Sequence, residues 1–312
     1  MKKRILSLFL TAALLCWVLC GCGGGTDAQQ AARKTANYYD SPALSLADSL
    51  LAVCFSREEN GYTGWQESYY AAVCEELTVC GGVLSETKAT DYTQAILGLT
   101  AAGYDAQNVA GYDLTAFLSD LEAVQRQGLN AVFQALLALD CGNYEIPEKQ
   151  DGKTATRDDY LAVILAAQLP DGGFTLGGES GDPDMTAMAL LALAPYRDRP
   201  EVQAAVDAAL ACLSALQEDD GGYQSWGTVN SESCAQVILA LCQLGISQGD
   251  SRFVKNGHTI LDKLLTYRQR NGSFAHQEGG DTDSLATLQA FEALTALCKQ
   301  EAGGPGLFDF SE

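Results

Sequence analysis

The sequence predicts an all-α chain of repeated helix pairs, on three observations. Glycine-rich corners recur: Gln168-Leu-Pro-Asp171-Gly-Gly-Phe174 is matched by Gln217-Glu-Asp-Asp220-Gly-Gly-Tyr223. A looser copy is Arg268-Gln-Arg-Asn271-Gly-Ser-Phe274, and Arg57-Glu-Glu-Asn60-Gly-Tyr62 lies near the start. The three later copies are spaced by 49 and 51 residues, a period that fits a helix pair. Next, Ala/Leu-rich segments such as Asp184 to Leu193, Cys234 to Leu244 and Ser284 to Leu297 are apolar on most of their circumference, as are Thr93 to Ala102 and Ala131 to Leu139. Such helices are surrounded by protein. Finally, the segments between them, Asp158 to Gln168, Pro200 to Leu216 and Phe253 to Tyr267, carry charge on one side and suit an outer layer. No long strand pattern competes with these helices.

Taken in order, the chain opens on Lys2, Lys3 and Arg4 before an apolar run from Ile5 to Leu19. That run is too short for a spanning helix and reads as an export signal over residues 1–21. Leu19-Cys20-Gly21-Cys22 resembles a bacterial lipobox, which implies lipidation of Cys22, a membrane partner through that lipid and an extracytoplasmic location. Residues 22–39, opening on Gly23-Gly24-Gly25, are expected to form a flexible tether. Residues 40–298 hold the helical repeats, and 299–312 form a C-terminal tail.

Loss of the signal leaves 16 basic against 40 acidic residues, a formal charge of −24 that excludes a nucleic-acid partner. Of eleven cysteines, Cys16 and Cys20 fall in the signal; Cys54, Cys74, Cys212, Cys234, Cys242 and Cys298 sit in apolar helical patterns as small buried hydrophobes. Without a C-x-x-C, and with only His258 and His276, no metal or other cofactor is expected.

Each corner has a physical reason. Asp or Asn with Gly allows the left-handed backbone that ends a helix, and the following aromatic folds onto the apolar side. A glutamine recurs in the inner helices: Gln94-Ala-Ile-Leu-Gly-Leu, Gln134-Ala-Leu-Leu-Ala-Leu, Gln236-Val-Ile-Leu-Ala-Leu and Gln289-Ala-Phe-Glu-Ala-Leu. A buried amide needs partners, so these glutamines either bond to neighbouring repeats or face a wet lumen; repeat architecture favours the former.

The corners and the Ala/Leu helices resemble the repeats of the prenyltransferase and squalene-cyclase superfamily, and more closely the toroid-like domain of exported bacterial surface proteins. The residues that carry the likeness are Thr90-Asp91-Tyr-Thr-Gln-Ala-Ile-Leu-Gly-Leu99, Asp184-Met-Thr-Ala-Met-Ala-Leu190, Ala194-Pro-Tyr196 and Asn230-Ser-Glu-Ser-Cys-Ala-Gln-Val237. The resemblance implies an α/α toroid of six inner and six outer helices. Distant relatives with this architecture include cobalamin carriers and complement-type thioester domains, but no Gly-Cys-Gly-Glu-Gln thioester sequence occurs here.

In such a toroid Asp91, Asn130, Asp184, Asn230 and Asp283 lie at or near inner-helix starts around one mouth. Helix N-termini there suit anionic groups, although Asp and Asn caps satisfy the same donors. Asp182-Pro183-Asp184 has two readings. It is a good helix start, since proline fits the first turn and acidic groups suit the dipole. It also resembles the Asp-x-Asp-Asp-Thr-Ala of isoprenoid cyclases, which implies Asp184 as the acid that protonates an alkene or epoxide, with Asp182 beside it. Met185 replaces the third aspartate, neither histidine is marked as an activating partner, and the familiar cyclases place their pocket between two helical domains. The zinc set of protein prenyltransferases is not reproduced around His276 and Asp281 to Asp283. Glycan-cleaving toroids suggest a further alternative, a carboxylate pair of Asp184 and Glu232.

The expectation drawn from these broken sets is a lipid-anchored toroid serving as a binding module for a small molecule or surface polymer, with a corrinoid, isoprenoid or glycan ligand. Its contacts are expected from Trp65, Tyr69, Tyr92, Asp91, Trp226, Glu232, Gln236 and Asp283, together with Asp182 and Asp184. An isoprenoid cyclase or prenyltransferase-like enzyme with Asp184 as general acid stands as the alternative.

Overall fold

The computed structural model describes residues 26–40, 43–57, 64–149 and 151–311. The signal, the lipidation candidate Cys22, and Asn60 and Tyr62 of the first corner lie outside the described residues.

Six inner helices form a closed ring: α2 (Ser49–Arg57), α4 (Ala89–Ala101), α6 (Leu129–Cys141), α8 (Pro183–Leu193), α10 (Ser231–Gln243) and α12 (Ser284–Glu301). Each packs on the next, and α12 packs back on α2, so the ring has no free edge. The outer layer holds α1 (Asp27–Tyr39), α3 (Trp65–Val79), the short α5 (Leu121–Gln125), α7 (Arg157–Ala166), α9 (Pro200–Leu216) and α11 (Ile260–Thr266). The chain therefore alternates outer and inner, and the α/α toroid is observed. Alanine at the contacts permits the close approach: nine residues of α8, four of them Ala or Pro, are buried.

The expected tether differs from what is seen. Residues 27–39 form α1, opened by a capping box at Thr26 and packed on α12. Its sequence, DAQQAARKTANYY, supplies the reason: Ala28, Ala31, Ala32 and Thr35 fall on one buried face at helical spacing.

The corners join each outer segment to the next. Gln168 Nε2 donates to Gly172 O and to Ala205 O of α9, both at 2.8 Å. Gln217 Nε2 repeats this with Gly221 O and Phe253 O, both at 3.0 Å. Asp171 and Asp220 accept from the backbone of Gly173 and Gly222 at 2.9 and 3.0 Å. At Gly172, with φ +86°, a Cβ would lie 2.4 Å from Ala208 O, so only glycine allows the corner to press on α9. In the third copy the Thr35 hydroxyl of α1 donates to Gly272 O at 2.9 Å, so the N-terminal helix receives the last corner and closes the outer ring. The aromatics Phe174, Tyr223 and Phe274 are buried between layers.

Two short hairpins stand at the N-terminal ends of the inner helices. One pairs β1 (Gln224–Ser225) with β2 (Thr228–Val229), the other β3 (Phe274–Ala275) with β4 (Thr282–Asp283). At the opposite end the tail folds back. Arg57 at the end of α2 donates to Gly306 O and Leu307 O at 3.3 and 3.1 Å, its guanidinium lies 3.9 Å from the Phe310 ring centre, and Phe310 N donates to Cys141 O of α6 at 2.8 Å.

Candidate active site

The ring encloses a lumen of about 440 Å³. Its lining follows from helical geometry: residues four and then three positions apart lie on one face, and the inner helices from α4 to α12 turn such a face inward, while α2 contributes Leu50. The upper tier, at the second residue of three helices, holds Asp184, Glu232 and Leu285. The middle tier holds Gln94, Gln134, Met188, Gln236 and Gln289, and the lower one Leu97, Leu137, Leu191, Leu239 and Glu292. Ser225, Trp226 and Thr228 of the first hairpin and His276 of the second border the mouth, while Phe308 of the tail lies across the floor. Phe174, Tyr223 and Phe274 do not reach this space, so the lumen is open.

Asp184 and Asp182 take different parts. Asp182 caps α8: its Oδ1 accepts from the backbone of Asp184 and Met185, each at 3.0 Å, and its Oδ2 accepts from the Ser225 hydroxyl at 2.5 Å. Its acceptors are thus engaged, and it fixes the start of α8 against β1. Asp184, two residues on, lines the lumen, and its Oδ1 is shielded from solvent with no hydrogen-bond partner. Burial pushes this carboxyl up to about 6, against the pull of the nearby Ser233 and Ser225 hydroxyls and with help from the negative charges of Asp182 and Glu232. The neutral acid is accordingly well populated in mildly acidic water.

The other upper carboxylate is engaged. His276 Nδ1 lies 2.8 and 3.0 Å from the two Glu232 oxygens, and the Ser231 hydroxyl donates to Glu232 Oε2 at 3.0 Å. At the floor, Glu292 stands where four other inner helices place leucine. It is 3 % exposed, no hydrogen bond or ion pair reaches it among the described residues, and burial pushes its carboxyl up to about 8.

Trp226 and Gly227 adopt left-handed φ of +51° and +81° to turn the first hairpin in two residues, and Trp226 is 82 % exposed at the mouth. A bulky residue is costly in that conformation, and strain of this kind is retained where placement of the side chain matters.

The structure unites Asp184, Trp226, Glu232 and Gln236 at one lumen and removes the rest of the expected set. Trp65 and Tyr69 belong to the outer helix α3, where the Tyr69 hydroxyl pairs with Ser49 at 2.7 Å. Tyr92 stacks on Phe117 with ring centres 4.4 Å apart and donates to Ser85 O at 3.0 Å. Asp91 lies in the first turn of α4 but is not part of the lining, and Asp283 caps α12 by accepting from Ala286 N at 2.9 Å. The four glutamines all face the lumen; inter-repeat bonding is seen at Gln134, whose Oε1 accepts from Thr93 at 3.1 Å, while Gln289 Oε1 is buried without a partner. Sequence reasoning missed His276 and Glu292. A signal for Glu292 was present: it breaks the Gln-x-x-Leu pattern shared by three of the four aligned segments.

The prenyltransferase alpha-alpha toroid domain matches residues 25–188, 114–229 and 201–304, and the chain belongs to that family. A drimenyl diphosphate synthase of Streptantibioticus cattleyicolor is 28 % identical over 272 residues, 79 % of this chain and 50 % of that protein. Another, from Streptomyces showdoensis, is 29 % identical over 163 residues, 51 % of this chain and 30 % of that protein. The chain thus spans half or less of the length of these curated relatives. Among solved structures, the type II terpene cyclase MstE from Scytonema superposes with a TM-score of 0.59 at 11 % identity, covering 88 % of this chain and 98 % of that one.

These relatives correct the expectation of a binding module. Both curated relatives are drimenyl diphosphate synthases, which favours the cyclase alternative over the binding module.

Proposed function

We propose that the protein is an isoprenoid cyclase with Asp184 as its general acid. The observation that carries this reading is a lumen-facing carboxyl, held by burial near neutrality, at the middle position of the Asp-x-Asp motif and above tiers of leucine, methionine and glutamine. A hydrocarbon chain fits the leucine and methionine rows of these tiers. The engagement of Glu232 by His276 leaves Asp184 without a free carboxylate partner, which disfavours the glycan alternative.

The step needs no co-reactant. Asp184 gives its proton to one carbon of a terminal alkene, the resulting cation is attacked by the next double bond, and a ring closes. A proton then leaves the carbon beside the last cation for water, and Asp184 regains one, so the net change is isomerisation. The carboxylate left at Asp184 opposes the positive charge, and the faces of Phe133, Trp226 and Phe308 offer further stabilisation. Asp182 and Ser225 are positioning residues that hold Asp184 toward the lumen. The likeness to the Scytonema cyclase, covered over nearly its whole chain, supports a pocket inside one toroid.

Incubating the purified full-length chain with a panel of polyprenyl substrates, followed by product analysis by mass spectrometry, tests the reading. Cyclic isomers from the wild type that vanish in Asp184→Asn support it; no cyclised product from any member, or equal yield from the variant, would reject it.

The proposal extends to location: an exported protein anchored through lipid on Cys22 would work where lipophilic substrates collect. Metabolic palmitate labelling that persists in Cys22→Ser would remove this part.

A further inference from the structure

We infer that the substrate carries an uncharged head group, a prenyl alcohol or a comparable hydroxyl-bearing isoprenoid, rather than a diphosphate. This rests on the cyclase reading and narrows it.

A diphosphate brings at least two negative charges and is held by arginine, lysine, metal ions or free backbone N–H groups. The lumen offers the opposite. Among the described residues its ionisable lining is three carboxyls, Asp184, Glu232 and Glu292, with His276 as the sole side chain able to carry positive charge and no lysine or arginine. His276 is already held by Glu232 at 2.8 Å. Lys263, on α11 behind the second hairpin, is bound by Asp220 at 2.7 Å and Glu278 at 3.3 Å.

Helix N-termini would be the remaining anion donors; the chain's own side chains occupy those of α8, α10 and α12, while α4 and α6 carry no side-chain cap. Asp182 takes the N–H groups of Asp184 and Met185, Asn230 takes that of Ser233 at 2.8 Å, and Asp283 takes that of Ala286. A diphosphate in this lumen would meet carboxyls at either end, where partial desolvation strengthens repulsion, under a formal net charge of −21.

Neutral hydrogen-bonding groups are present instead. Ser225, Thr228, Asn230 and Gln236 border the upper lumen, and Gln289 Oε1 is a buried acceptor without a partner. A hydroxyl can donate to that acceptor, and a diphosphate, which only accepts, cannot.

The test uses farnesol and geranylgeraniol against farnesyl and geranylgeranyl diphosphate, with the full chain at low and moderate salt. Turnover is read by mass spectrometry and binding by calorimetry. The expected result is a kcat/KM at least tenfold higher for each alcohol than for the diphosphate of equal length. Diphosphate binding is expected to tighten as salt screens the repulsion, while alcohol binding stays flat. Preferred turnover of the diphosphates, with binding that weakens as salt rises, would overturn this inference and leave the cyclase reading intact. Absence of turnover with all four probes would overturn the cyclase reading and the inference together.

Discussion

Asp184 at the mouth and Glu292 at the floor are both carboxyls raised by burial, yet they differ in what surrounds them. Asp184 sits in the first turn of its helix, near two hydroxyls that favour its charge, and rises to about 6. Glu292 lies in mid-helix with no polar partner among the described residues and rises to about 8. A helix terminus with local hydroxyls keeps a buried acid poised between its two forms; a helix interior drives it to the neutral form. The mouth is therefore built to release a proton near neutral pH, and the floor to keep one.

Breaking the mouth should have the larger effect on rate. With Asp184→Asn, cyclisation is expected to fall by roughly 10²–10⁴-fold, the usual contribution of a positioned acid, while circular dichroism stays unchanged. Glu292→Gln should leave the mouth acid in place and act on stability. A carboxyl raised in the folded protein binds its proton more tightly there than in the unfolded chain, so stability falls as pH rises from about 4.5 through about 8. The wild type should lose on the order of 3–5 kcal/mol over that interval from this group, and Glu292→Gln should remove that dependence in denaturant titrations at pH 5 and pH 8.5. Equal slopes for both proteins would show that Glu292 is hydrated. The smallest effect is expected at the rim: Trp226→Asn should relieve the left-handed strain and raise stability by about 1 kcal/mol while slowing turnover, a trade measured by melting and product yield together.

The ring was legible because its signals are local. Asp171-Gly172 and Asp220-Gly221 make the left-handed corners, and the alternation of Ala/Leu helices with one-sided helices separates inner from outer layers. The first outer helix was not legible as such: glycine just ahead of it suggested a tether, and the small buried face of Ala28, Ala31 and Ala32 becomes apolar only against α12. Within the site, Asp184, Glu232 and Gln236 followed from inner-helix register. Trp65, Tyr69 and Tyr92 were misplaced because an aromatic between layers and one facing a lumen look alike in sequence; the difference lies in which side of α3 or α4 meets its neighbour. His276 reaches Glu232 across 44 residues, a contact made by the second hairpin and invisible to local pattern.

The most direct test of an acid at Asp184 is the pH dependence of kcat/KM for cyclisation of the best prenyl substrate between pH 4.5 and 9. The account predicts a rate that holds below about 6 and then falls tenfold per pH unit, as the proton leaves Asp184. A rate that stays flat to pH 8, breaking only where Glu292 loses its proton, would contradict it and move the acid from the mouth to the floor.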